Sequence, residues 1–327
     1  MGNSDLMIEA RGLTKRYGET LALDGIDLAV AAGSVLGVLG PNGAGKTTGV
    51  RILTTLTPPD GGGARVAGHD VVREAAAVRR NIGATGQDVT LDEALTGRQN
   101  LVMVGELSRL GRVAAKRRAS ELLGTFELAD AADRPVKGYS GGMRRRLDLA
   151  MSLVMRPPVL FLDEPTTGLD PTARQGMWSL IRGLVADGAT LWLTTQYLDE
   201  ADALADRIAV IDHGHVIAEG TPAELKAATG SQLLEVTLSA ADPKGAAIVE
   251  EFGVGQVLIT DDGRRLRAAV PSEPGLAIAV LRAFDVAGVG VDDIAIHKPS
   301  LDEVFATLTG ADAAASEPVA VKEGALA

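Results

Sequence analysis

The chain has 327 residues, 46% apolar and 23% charged, with a formal net charge of −11 at pH 7 and no cysteine. That length holds a sizeable core and suggests two domains, while the missing thiols exclude disulfides and thiolate metal sites. The acidic balance and the 3% of aromatic residues argue against a nucleic-acid partner, which calls for a basic face and, for single strands, stacking platforms.

Residues 1–5 are polar, so no secretory leader is expected, and a strand-like run starts at Met7. No stretch approaches the ~20 apolar residues of a membrane helix, so any bilayer crossing is expected of a partner. Residues 26–30 alternate like a half-buried strand, and Val35–Leu39 is an apolar run closed by Gly40, the pattern of a buried strand feeding a tight loop. Residues 47–56 read as a helix stopped by Pro58 and Pro59. The charged, helix-friendly stretch 92–123, broken only by glycines, reads as the heart of a helical subdomain over about 90–155. Residues 159–162 form a second buried strand. Pro171–Ala186 has helical spacing and ends at Asp187 and Gly188. Thr190–Thr195 is a third strand, 198–205 a helix and 208–211 a fourth strand. This alternation predicts an α/β fold with a mostly parallel sheet and helices on both faces.

After about Gly230 the pattern resets. Strands are expected at 233–238, 257–260, 266–270 and 291–296, with helices at 244–251 and 276–284. That order suggests a small α+β domain of ferredoxin-like arrangement. Residues 301–308 read as a last amphipathic helix, and 311–327, rich in Ala, Glu and Pro, as a disordered tail. The expected domains are thus 6–228, 231–310 and the tail 311–327.

Gly40, Pro41, Asn42, Gly43, Ala44, Gly45, Lys46 and Thr47 fit the phosphate-loop pattern G-x-x-x-x-G-K-[ST] between a strand and a helix, with Thr48 following. The glycines let successive N–H groups face phosphate oxygens, Lys46 places a cation between the β- and γ-phosphates, and the Thr47 hydroxyl ligates Mg2+. The helix behind adds its positive N-terminal end. Asp163 and Glu164 close the strand 159–162, where a buried parallel strand meets the ligand crevice. Asp163 is placed to hold the magnesium shell and Glu164 to polarise the attacking water, which points to ATP as the substrate.

The run Tyr139, Ser140, Gly141, Gly142, Met143 resembles the signature motif of ATP-binding cassette (ABC) proteins. Ser140 can cap a helix whose first amides, with the glycines, face an anion. In that family the signature serves the ATP of the opposite subunit, so the resemblance implies a head-to-tail dimer of two copies. It also implies a phosphate-loop nucleotide domain with an antiparallel β subdomain. By the same resemblance Tyr17 stacks on adenine, Gln87 senses magnesium and contacts the transporter, and Asp170 belongs to the loop that crosses the dimer. Asp170 also reads as a helix N-cap ahead of Pro171.

Three positions depart from the family. Gln196 stands where a histidine is usual, and glutamine can bond a phosphate but cannot carry a proton at neutral pH. Met143 and Tyr139 replace the usual glutamine and leucine. Residues 139–148, 194–202 and 206–220, with Ser300, Leu301, Asp302, Glu303, Val304, Phe305 and Leu308, Thr309, Gly310, are similar to the ATP-binding subunit of daunorubicin/doxorubicin-type exporters. This implies a motor subunit peripheral to the cell membrane on its cytoplasmic side. It would work with a separate integral-membrane permease, export a hydrophobic drug or antibiotic and serve self-resistance. Two other readings are an ABC ATPase outside transport and an ATP-gated binding subunit with little turnover. The first lacks coiled-coil heptads and a second cassette; the second is opposed by the intact Glu164. His213 and His215 read as surface residues of a hairpin. Leu149, Met151, Met155 and Trp192 read as core, and residues 144–146 (Arg-Arg-Arg) as a solvated helix face.

Overall fold

Leu6–Tyr17 (β1) and Thr20–Ala31 (β2) form a long antiparallel hairpin in which Ile8, Ala10 and Leu13 of one strand and Leu23, Ile26, Leu28 and Val30 of the other are buried. The computed structural model describes residues 6–305 except 87–89, 229–230, 255–256, 261, 272, 274, 298–300 and 302–304. Gln87, most of the expected helix 301–308 and the tail 311–327 therefore lie outside the described residues. Every residue of Val35–Leu39 (β3) is buried, as its unbroken apolar run requires of a strand covered on both faces. Lys46–Leu53 (α1) follows, ending earlier than expected where Thr55 takes φ +66°. Gly61–Val66 (β4) pairs antiparallel with β1 and with His69–Asp70 (β5), giving an antiparallel sheet of order β2-β1-β4-β5.

Ala75–Arg80 (α2) leads into Ile82–Thr85 (β6). The expected helical stretch begins only at Gly97, where Thr96 and Gln99 close a reciprocal capping box at the head of Gly97–Leu107 (α3). Arg109 and Gly111 then take φ +63° and +79° and separate α3 from Arg112–Thr125 (α4). Gly141–Ser152 (α5) is the third helix of this subdomain. Met155 corrects an expectation: it lies beyond the end of α5, beside Arg156 at φ +51°, and is 45% exposed rather than core. Val159–Asp163 (β7), Pro171–Ala186 (α6), Thr190–Thr195 (β8), Leu198–Leu204 (α7), Arg207–Asp212 (β9) and His215–Gly220 (β10) complete this part of the chain, and Pro222–Ala228 (α8) follows.

The main sheet has the order β10-β9-β3-β8-β7-β6, parallel except for the β10–β9 pair. Alternate residues serve its two faces. Leu36, Val38, Val159, Phe161 and Trp192 pack with α1 and the antiparallel sheet. Val35, Leu160, Leu162, Leu191 and Leu193 pack with Leu101, Leu123, Phe126, Leu147 and Ile181 of the helical side. Burying both faces fixes the C-terminal ends of β3 and β7 on either side of β8, the place where open α/β sheets bind ligands.

The chain divides after Pro222 into two compact units. The second contains Ser231–Leu238 (β11), Pro243–Phe252 (α9), Leu258–Ile259 (β12), Arg265–Pro271 (β13), Leu276–Ala287 (α10) and Val291–His297 (β14). Its sheet is antiparallel throughout, in the order β12-β13-β11-β14. Leu234, Val236, Leu266 and Val270 face Val249, Val280 and Phe284 of the two helices. That is the arrangement of a ferredoxin-like βαββαβ unit.

Candidate functional site

The loop leaving β3 is shaped by what surrounds it. A Cβ on Gly40 would sit 2.2 Å from the Ile211 carbonyl oxygen, and one on Gly45 would sit 2.4 Å from that of Ala22. Gly43 and Gly45 hold φ +86° and +110°, a region that favours glycine. The Gly214 N–H donates to the Ala44 carbonyl at 3.0 Å, and the Gly214 carbonyl accepts from Asp24 N–H at 2.9 Å, so the β9–β10 turn backs the loop. Gly45 is the N-cap of helix α1 and offers no side-chain cap, leaving the first turn to an anion. Gly45→Ala should therefore lose nucleotide binding and lower the melting temperature together, since the new methyl meets main chain that cannot step aside. Nucleotide titration and thermal melting check this; parental values for both would refute it.

A cleft of about 380 Å³ opens here, lined by Asn42, Gly43, Gly45, Lys46, Thr47, Thr48 and Glu164, with Ala22 at its side. Lys46 is only 5% exposed, and its Nζ donates to the carbonyls of Gly40 (2.6 Å) and Pro41 (3.1 Å). Burial pushes its pKa below the usual lysine value, while Glu164 and Asp163 pull it back up. Asp163 ends β7 at 3% exposure; it accepts from Thr47 Oγ1 at 3.2 Å and, on its other oxygen, from Thr194 Oγ1. Glu164 follows at 6% exposure with φ +50°. Its N–H donates to the Thr194 carbonyl at 3.0 Å, and its Oε2 accepts from Thr167 Oγ1 at 3.1 Å.

The adjacent Thr47 hydroxyl and Asp163 carboxylate suit magnesium, an ion that takes one or two protein oxygens and completes its shell with phosphates and water. Among the described residues no group of three or more His, Cys, Asp or Glu could hold a metal by itself.

The structure thus brings together the loop residues 40–48, Asp163 and Glu164. Tyr17 stands at the β1–β2 turn, 45% exposed, with Lys15 Nζ 5.6 Å from its ring centroid. Ser140, Gly141, Gly142 and Met143 begin α5, away from the cleft lining, and Ser140 caps the helix by accepting from Met143 N–H at 3.3 Å. Asp170 caps α6 through Ala173 N–H at 2.9 Å, ahead of Pro171. Gln196 is exposed just past β8. Tyr139 is buried; its hydroxyl donates to the Ala131 carbonyl at 2.6 Å and fills the space beside Gly97.

Arg145 corrects the reading of 144–146 as a solvated face: it is 5% exposed and bonds main-chain carbonyls around Glu164. The signal that could have found it is Asp148, a buried carboxylate three residues on and on the same helix face. Sequence reasoning also missed Glu200, fully buried and held by Thr166 Oγ1 (2.8 Å) and Trp178 Nε1 (3.2 Å). Burial pushes the Glu200 carboxyl pKa up.

Residues 23–167 match the family described as ABC transporter. The chain is 55% identical over 309 residues to the daunorubicin resistance ATP-binding protein DrrA3 of Streptomyces coeruleorubidus, covering 94% of this chain and 98% of that protein. It is 51% identical over 321 residues to the daunorubicin/doxorubicin resistance ATP-binding protein DrrA of Streptomyces peucetius, covering 97% of each. Among solved structures it resembles a dimeric, post-hydrolysis ATP-binding cassette bound to ADP and Pi. That likeness has 27% identity and a TM-score of 0.60, covering 66% of this chain and 98% of the other.

Proposed function

We propose, from the premise that this chain belongs to the ABC transporter family, that it is the ATP-hydrolysing subunit powering export of a hydrophobic drug or antibiotic through a separate membrane subunit. The observation that carries the reading is the cleft itself, where Lys46, Thr47, Asp163 and Glu164 converge below the glycine loop. A triphosphate entering it takes over the donors that Lys46 now gives to Gly40 and Pro41. Loop amides and the start of α1 bind the phosphates, Lys46 neutralises the β- and γ-oxygens, and Glu164 orients water and accepts its proton. A magnesium ion held by Thr47 and Asp163 would neutralise phosphate charge. Tyr17 offers a face for the adenine.

Ser140, Gly141, Gly142, Met143 and Asp170 lie outside the lining of their own chain's cleft, which suits service to a second copy's nucleotide in a head-to-tail dimer. The names of the relatives support drug resistance as the purpose. No helix among the described residues is long and apolar enough to cross a membrane. The bilayer crossing is therefore assigned to a permease, with this chain docked at the cytoplasmic face. Hydrolysis belongs to residues 6–228; the unit 231–310 is available for partner contacts.

The test is ATP-driven pairing. The Glu164→Gln chain with Mg–ATP should run as a dimer in light scattering, and Ser140→Arg in that background should restore the monomer. Loss of the Ser140 cap alone costs only about 1 kcal/mol, too little to unfold the chain. A monomer at saturating ATP, or a dimer indifferent to Ser140→Arg, refutes the sandwich. Export is read by sequencing the adjacent gene, co-expressing its product with the chain where it encodes a membrane protein, and measuring daunorubicin accumulation, which should fall only when Lys46 is intact.

A further inference from the structure

We infer that Arg145 is a positioning residue that locks the catalytic turn to the signature helix, so that a nucleotide gripped at the head of α5 is felt at Glu164. The inference rests on the proposed role of Glu164 in hydrolysis.

Among the described residues one guanidinium reaches four carbonyls. Nε of Arg145 donates to Pro165 O at 2.9 Å, and Nη1 donates to Gly86 O at 3.0 Å. Nη2 donates to Asp163 O at 3.4 Å and also to Glu164 O. Three consecutive residues of the turn that carries Asp163 and Glu164 thus hang on one planar fork, a geometry that a lysine ammonium cannot reproduce. The turn needs such a hold. Glu164 is a non-glycine residue at φ +50°, a conformation that persists only where the surroundings enforce it. Its carboxylate direction follows from that backbone angle.

The same helix face carries Asp148, buried, which accepts from the N–H and the hydroxyl of Thr90, both at 3.3 Å. Arg145 and Asp148 therefore hold Gly86 and Thr90, the residues on either side of segment 87–89, with the catalytic turn gripped from the same side. Burial depresses the Arg145 pKa, and Asp148, Asp163, Glu200 and Glu164 oppose that trend. A buried cation so compensated is costly to leave half-paired, so any shift of α5 carries its partners along. The head of α5 is Ser140, exposed and capping, the point where a second copy's triphosphate would press.

The experiment compares the full-length chain with Arg145→Gln and Arg145→Lys, each also in the Glu164→Gln background. TNP-ATP affinity and single-turnover Mg–ATP hydrolysis are read, with melting curves to confirm folding. Arg145→Gln should slow hydrolysis about 10²-fold, the scale of a misplaced catalytic group, and change TNP-ATP affinity by no more than about threefold. In the Glu164→Gln background the same change should cost nothing further, since there is no catalytic carboxylate left to misplace. Arg145→Lys keeps the buried cation and should fall between; it carries the test alone if the glutamine variant fails to fold. Hydrolysis within about threefold of the parent, a parallel loss of nucleotide affinity, or a full additional loss beside Glu164→Gln would overturn the inference. A parent chain that hydrolyses ATP while the Arg145 variants match it removes this inference only; a parent no faster than Lys46→Ala removes the proposed function as well.

Discussion

Lys46→Ala is expected to lower Mg–ATP affinity about 10²–10³-fold and leave no measurable hydrolysis. The Nζ atom is buried at the floor of the cleft, and its hydrogen-bond partners among the described residues are the carbonyls of Gly40 and Pro41, acceptors that a triphosphate outbids with full negative charge. Charge-assisted bonds of this kind contribute about 1.5–3 kcal/mol each, so two of them give about 10²–10⁴-fold, and the expected loss lies in the lower part of that range. Lys46→Arg should recover little of it, because a planar fork replaces the compact ammonium that now packs against the Gly40 and Pro41 carbonyls. Isothermal titration with Mg–ATP reads the affinity. A Lys46→Ala chain that takes up Mg–ATP as the parent does would mean that the loop is not a phosphate cradle, and every functional statement above would fall with it.

What the sequence made legible was set by local chemistry. The apolar runs Val35–Leu39 and 159–162 read as doubly covered strands, and both are buried at every residue. The conformation of the glycine loop was readable because its residues are constrained locally: Gly45 by its φ of +110°, Lys46 and Thr47 by their place at the head of a helix. Strand order was not legible. That β3 lies between β8 and β9 depends on which faces the helices cover, a global packing result. Thr194, which holds Asp163, was read only as part of a strand, because its partner lies 31 residues away. Arg145 was misread for a related reason: its acceptors are main-chain carbonyls, which carry no residue-specific signal. Met155 erred in the opposite sense, since helical periodicity was extended past the point where α5 ends at Ser152. Residues fixed by local geometry were visible, whereas those fixed by a distant partner were not.

Glu164→Gln is the sharper substitution, because it should separate binding from chemistry. The two side chains have nearly the same shape, so the contact with Thr167 Oγ1 at 3.1 Å and the backbone bond to Thr194 O at 3.0 Å should persist, with the melting temperature unchanged. Affinity for Mg–ATP should also hold, since the proposed phosphate contacts come from Lys46 and the loop amides. Proton acceptance is lost, and a general base contributes about 10²–10⁴-fold to rate, so hydrolysis should fall by that factor. Gln196, exposed beyond β8, cannot make up the loss, for an amide takes no proton at neutral pH. The dimer should then accumulate in its ATP-bound form, because closure no longer ends in cleavage. Phosphate release by the purified chain, parent against variant, is the measurement. Equal rates would show that the chemistry does not pass through Glu164 and would favour a subunit that closes on ATP with little turnover of its own.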